Sequence, residues 1–186
     1  VVTPQGRNQP MNDKSFGGQF YKLVAKNHDI LLELRKSIGT DFVIYGELCG
    51  EKIQPNVACS KLQSHHFFVF AIKLIDSIDS NNSQWIYEPN EITMLLKDLL
   101  LVESQIRVLP WETNSSGEVI KVTLSSTDNS QLSIINELTD LADAVDPYIK
   151  RVFDIVGAGE GYVWYSDDIM FKSKGETHSN IKTNKP

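Results

Sequence analysis

Two cysteines, Cys49 and Cys59, are the whole thiol content of the chain. A small secreted domain held by disulfides carries more, and this pair lacks the C-x-x-C spacing of a zinc site. Both are expected to be reduced thiols in an intracellular, cytoplasmic protein. Long apolar runs are missing as well. The longest, near Leu95–Val102 and Phe67–Ile72, stop short of the ~18 residues a membrane-spanning helix needs. No membrane association is expected, and no signal peptide is read at the start. Positive charge is scarce: 18 Lys and Arg stand against 24 Asp and Glu, a net charge of −6. That argues against a surface that grips nucleic acid throughout, but leaves room for one local basic groove. An initiator methionine is also lacking, because the chain begins at Val1. Residues upstream are expected to have been removed or omitted.

What is present fits one domain. The 186 residues are 41% hydrophobic, enough for a core of ordinary size, and a monomer is expected. Residues 1–19 read as a strand end and a loop. The apolar spacing from Phe20 to Ile38 predicts a helix, with Gly39 as its stop. Phe42–Tyr45, ending at Gly46, and His66–Ile72 are β-branched and aromatic runs that predict buried strands. Gly50 to Ser64 reads as a loop between them. Pro89 opens a predicted helix through Leu101. Gln105–Leu109 and Val119–Leu124 read as strands, and Leu132 to about Asp146 as a helix ended by Pro147. Gly161–Tyr165 and Ile169–Lys172 predict a hairpin closed by Ser166-Asp167-Asp168. Asp76 to Asp79 reads as a solvated loop, and the tail from Thr177 as frayed. This order of elements predicts an α+β fold with antiparallel sheets and flanking helices.

Three segments carry chemistry. Tyr45-Gly46-Glu47-Leu48-Cys49-Gly50 puts a carboxylate at a strand end between glycines, where it could accept hydrogen bonds from a ribose hydroxyl. Gly159-Glu160-Gly161-Tyr162-Val163-Trp164 poises a second carboxylate at a strand start, where it could face a ligand or Mg²⁺. Phe171-Lys172-Ser173-Lys174-Gly175 sets two lysines on one strand face, which is costly unless an anion such as a triphosphate lies between them. Each has an ordinary reading when taken alone: a turn glutamate, or lysines guarding a strand edge. His65-His66 is read as no metal pair, because neighbours in a strand face opposite sides. Trp85, Trp111 and Trp164 read as core or rim aromatics, with Trp164 placed to line a cleft.

In their order and spacing the three segments resemble the covalent nucleotidyltransferase superfamily of RNA ligases, DNA ligases and capping enzymes. Tyr45 to Gly50 matches its [YF]-G-E-x-x-G motif, Glu160-Gly161-Tyr162-Val163 its E-G-x-V motif, and Lys172-Ser173-Lys174 its K-x-K motif. Phe67-Phe68-Val69-Phe70 matches the aromatic motif between the first two. The chain is most similar to ATP-dependent RNA ligases of the phage type 2 group, over most of its length. That resemblance implies a nucleotidyltransferase, ATP-grasp-like core and ATP (carried as AMP) with Mg²⁺ as cofactors. It implies RNA ends or a nicked duplex as partner, a 5′-phosphate being joined to a 3′-hydroxyl. It also implies roles. Glu47 would bind the ribose and Phe70 stack on the adenine. Glu160 would hold the metal or orient the nucleotide, and Lys172 and Lys174 would contact the phosphates. Arg7 lies where the family often places an arginine shortly after its nucleophile. Ala71 stands where some relatives carry an acid.

The family's nucleophile is a lysine in K-x-[DHN]-G, whose amine attacks the ATP α-phosphorus. The chain contains no such tetrad. Lys14-Ser15-Phe16-Gly17 has the spacing, but it carries Phe at the polar position and follows Arg7. The chain is therefore expected to be a fragment of a ligase, N-terminally incomplete, that does not adenylylate itself. The alternative is a non-catalytic module that binds a nucleotide or an RNA end. A third reading is a structural α+β domain whose matches are accidental.

Overall fold

The computed structural model describes residues 1–6, 10–14, 18–51, 53, 55–75, 83–123, 130–166 and 170–175. Arg7, most of the Lys14–Gly17 tetrad, the Asp76–Asp79 stretch, Asp167 and Asp168 of the hairpin tip, and the tail from Thr177 lie outside them. The fold is α+β, as the order of elements predicts. The chain gathers into two compact units, residues 1–49 with 64–112 and residues 50–63 with 113–186.

The first unit contains α1 (Gly18–Lys26), α2 (His28–Ile38), β1 (Asp41–Cys49), β2 (His66–Ile75), β3 (Gln84–Ile86), α3 (Pro89–Leu95), α4 (Lys97–Val102) and β4 (Ile106–Val108). Strand β2 is central. It pairs antiparallel with β1 along one edge. Along the other edge it pairs in parallel with β4 through Phe67–Val69 and antiparallel with β3 through Ile72–Leu74. One face of this sheet packs against the helices. Phe67, Val69 and Ile72 meet Leu23, Leu31, Ile92, Leu96 and Leu99 there, with Phe42, Ile44 and Leu74 at the margin. Each of those core side chains removes apolar area worth roughly 1.5–3 kcal/mol from water.

Both helices predicted in this unit are broken in two. The first breaks at Asn27, whose buried amide donates to Leu23 O at 2.9 Å and to Glu103 Oε2 at 3.1 Å. This side chain anchors the backbone at φ −103°, ψ 14°, outside helical values. The second breaks at Leu96, at φ −92°, ψ 8°. Gly39 ends α2 in the left-handed conformation, its N–H donating to Arg35 O.

The second unit contains a 3-10 turn (Ala58–Lys61), α5 (Ser130–Ala144), α6 (Pro147–Phe153), and the hairpin of β5 (Tyr162–Tyr165) with β6 (Met170–Ser173). Pro147 does not merely end a helix. It opens α6, with Asp146 as the cap whose Oδ1 accepts from Ile149 N at 2.8 Å. Residues 119–123 form no strand. Val119 makes a single bridge to Thr113 across a turn held by Asn114, and among the described residues no neighbouring strand pairs with the segment. The segment at 50–63 is more than a loop, since Val57, Ala58, Cys59 and Leu62 are all buried. Cys49 and Cys59 are both buried. Among the described residues no helix is long and apolar enough to cross a membrane.

Candidate functional site

On β2 the core side chains run Phe67, Val69, Ile72, Leu74. The step from 69 to 72 is three residues, where a regular strand takes two. The register accounts for it: Gly46 faces Val69 and the adjacent Tyr45 faces Ala71, so Phe70 is extra. This β-bulge turns Phe70 and Ala71 to the same side, away from the core. Phe70 is 43% exposed there. Glu47 pairs with Phe68 in the register and belongs to that same non-core face. The structure therefore brings the predicted ribose ligand and the predicted stacking ring onto one face of one sheet. Gly46 makes the close pairing possible. A Cβ at that position would meet Phe68 O and the Phe67 ring at 2.6 Å.

The same face carries further residues, among them Arg107, which the sequence did not single out. Arg107 on β4 pairs with Phe68, so Glu47, Phe68 and Arg107 form one row across three strands. Its signal was an arginine between two apolar residues, Ile106 and Val108, in a short strand. His66 lies one row along, its ring stacked on Phe68 with centroids 6.0 Å apart and its Nε2 3.0 Å from Ser64 Oγ. Burial, and then the Arg107 charge, lower the His66 pKa, so the imidazole is neutral near pH 7. Tyr45, Lys73 and Trp85 continue this face in the other direction.

In the second unit Glu160 and Lys172 come together, with Lys172 Nζ 2.6 Å from Glu160 Oε2. The negative charge expected beside the lysine pair is thus supplied by the protein's own carboxylate. Lys174 lies just past the end of β6 and is exposed. The segment before Glu160 is pinned by three backbone bonds: Asp146 N to Gly157 O at 2.8 Å, Ala58 N to Ala158 O at 2.7 Å, and Gly159 N to Ala142 O at 2.7 Å. Gly161 adopts φ +112°, with Ser173 O pressed against the position a Cβ would take.

Ser173, between the two lysines, joins a chain of hydroxyls. Trp164 Nε1 donates to Ser173 Oγ at 2.8 Å. Ser173 and Thr139 hydroxyls lie 2.8 Å apart, and Thr139 donates to Ile135 O at 2.6 Å. Each hydroxyl has one proton, so the consistent direction is Trp164 to Ser173 to Thr139 to Ile135. Trp164 thus braces the hairpin through its indole nitrogen.

A depression of about 150 Å³ beside α1 is lined by Lys22, Lys26, His65 and Gln105. It is well below the ~300 Å³ at which small-molecule pockets begin, so the sheet face is the better candidate.

The profile of the RNA ligase family matches residues 2–182. Among solved structures, a single-site variant of Naegleria gruberi RNA ligase with ATP and manganese superposes with a TM-score of 0.59 at 19% identity, over 96% of this chain and 44% of that one. An apo variant of the same ligase gives 0.58 at 18% identity, over 96% and 44%. A variant with AMP and manganese gives 0.56 at 18%, over 93% and 43%. This chain thus spans less than half the length of those ligases, and at such identity the likeness establishes the fold. No curated protein matches the chain in sequence. With the profile matching nearly end to end and the fold shared with a solved RNA ligase, the chain belongs to the RNA ligase family.

Proposed function

We propose that residues 1–186 work as the adenylyltransferase domain of an ATP-dependent RNA ligase, which joins a 5′-phosphate to a 3′-hydroxyl through AMP. The observation that carries this reading is the bulge that turns Phe70 onto the face of Glu47. Glu47 accepts hydrogen bonds from the ribose hydroxyls, and Phe70 stacks on the adenine. Lys172 and Lys174 contact the phosphates and oppose the charge that builds there during transfer. Arg7 is assigned to the same nucleotide. The solved relatives that hold ATP or AMP with manganese support a nucleotide and a divalent ion as cofactors, which we take to be ATP and Mg²⁺.

Among the described residues no three His, Cys, Asp or Glu side chains gather as a metal site. One carboxylate still suits Mg²⁺, which keeps several waters and binds through phosphates. Glu160 is the residue that would hold it, and the ion's part would be to neutralise phosphate charge. On this reading Glu160 leaves Lys172 when nucleotide binds, and the phosphates take its place on the ammonium. The protein is assigned to the cytoplasm as a monomer, with RNA ends or a nicked duplex as its polynucleotide.

Isothermal titration of the chain with ATP and Mg²⁺ tests this. Glu47→Ala and Lys172→Ala should each weaken binding about tenfold, roughly 1.4 kcal/mol. Unchanged affinity in both variants, with the fold intact, would mean that the motif matches are accidental. The absence of a K-x-[DHN]-G tetrad favours one other reading, a module that binds nucleotide or RNA ends without turnover. Fusing a lysine-bearing tetrad from a relative upstream of Val1 separates the two. Covalent AMP in the fusion supports the enzyme, and binding without it supports the module.

A further inference from the structure

The non-core face of the four-stranded sheet does not stop at Glu47 and Phe70. Two residues back along β1, about 7 Å away, Tyr45 lies on the same side. Its ring is 4.9 Å from that of Trp85 on β3. Trp85 stacks in turn on Tyr87, with centroids 5.5 Å apart and planes 10° from parallel. Trp85 keeps 41% of its surface exposed, although a ring of that size is ordinarily well buried. Lys73 is its partner in the β2–β3 register, and the ammonium lies 5.4 Å from the indole centroid. Here then are three neighbouring rings in a chain that is only 9% aromatic, with a cation beside the most exposed one.

The geometry points to a base-stacking subsite for a single RNA strand, formed by Tyr45, Trp85, Tyr87 and Lys73, on the face that also bears Glu47 and Phe70. The choice of RNA rests on the ligase reading above. Every base has a π face, so stacking on aromatic side chains holds a strand without regard to sequence. A purely apolar ligand would leave the lysine without a function. A nucleotide uses both groups: its base covers Trp85, and the Lys73 ammonium moves from the ring to the phosphate of that same nucleotide. A duplex could not use the site, because its bases are already stacked on one another.

The test is fluorescence anisotropy with a fluorescein-labelled single-stranded oligoribonucleotide of ten adenosines, alongside the same strand annealed to its complement. Circular dichroism confirms the fold of each variant, and ATP affinity is measured in parallel. Trp85→Ala should weaken binding of the single strand about tenfold, the size expected for one lost stacked base. Trp85→Phe should restore most of it, and Lys73→Ala should weaken it severalfold. ATP affinity should hold in all three. The proposal is overturned if the wild-type chain does not bind the single strand, if Trp85→Ala weakens duplex binding as much as single-strand binding, or if a folded Trp85→Ala binds the single strand like wild type. Single-strand binding that depends on Trp85 in a chain that fails to bind ATP would keep this subsite and sink the nucleotide reading. The reverse pattern would sink the subsite alone.

Discussion

Glu103 shows how one buried charge is made tolerable. Its side chain is 2% exposed, and its Oε2 accepts from Lys26 Nζ at 2.8 Å and from Asn27 Nδ2 at 3.1 Å. Oε1 accepts from the Gln105 N–H at 3.1 Å. Burial pushes the carboxyl pKa up, but the bonds from Lys26, Asn27 and Gln105, with the Lys26 charge, outweigh it and hold the pKa below the usual 4.5. The sign of the pH dependence follows. The ionised carboxylate binds its partners only in the folded chain, so the stability it contributes is complete above pH 4.5 and is lost as pH falls through the lower folded value. His66 adds to the loss from a higher pH. Its depressed pKa makes protonation costlier in the folded state, so stability declines as pH drops below the ordinary histidine value of 6.5. Glu103→Gln should therefore lower stability by about 2 kcal/mol at pH 7, and less at pH 3.5. Urea unfolding at both pH values checks this, and an equal loss at the two would show that charge is not what Glu103 contributes.

The hairpin and the bulge decide which elements can carry a site. Gly161 combines a φ of +112° with close contact to Ser173 O. Gly161→Ala should accordingly cost about 3 kcal/mol and pull Glu160 away from Lys172. Gly117 is the control, since its φ is +81° but nothing lies within 4 Å of the added carbon. Gly117→Ala should cost only about 1 kcal/mol. Thermal melts rank the two, and equal losses would mean that the contact with Ser173 does not matter. The same elements mark how far the sequence could be read. β1, β2 and the β5–β6 pairing were legible because strand period and motif order are local signals. The break at Asn27 was not, because its cause is Glu103, 76 residues further on. Phe70 could be named as a stacking residue by resemblance, but its placement beside Glu47 comes from a register shift against β1 that no single strand reveals. Val119–Leu124 reads as a strand from its β-branched residues, yet composition alone does not supply a neighbour. Of the candidate site, the individual motif residues were legible, while the Glu160–Lys172 ion pair and the Glu47–Phe68–Arg107 row came only from pairing partners.

For the whole molecule, charge limits how the RNA strand proposed above would be held. A net charge of −6 leaves no excess of cations to coat a polynucleotide, so on that proposal binding would come from a few placed groups and from stacking. Each phosphate neutralised on a single strand contributes a slope of about −0.7 to log K against log salt. If Lys73 and one or two further cations make the contacts, the slope for the ten-adenosine strand should lie between about −1.4 and −2.1. Stacking, which releases no counterions, should persist at high salt, so binding should weaken as salt rises yet level off above the lysine-free limit. Anisotropy titrations from 50 to 500 mM KCl, a range on the order used for such slopes, measure it directly. In Lys73→Ala the slope should flatten by about 0.7, while in Trp85→Ala affinity should fall at every salt concentration with the slope unchanged. A wild-type slope steeper than about −4 would require six or more phosphate contacts. Such a value would mean that a broad basic surface holds the RNA, and that the aromatic face is incidental to it.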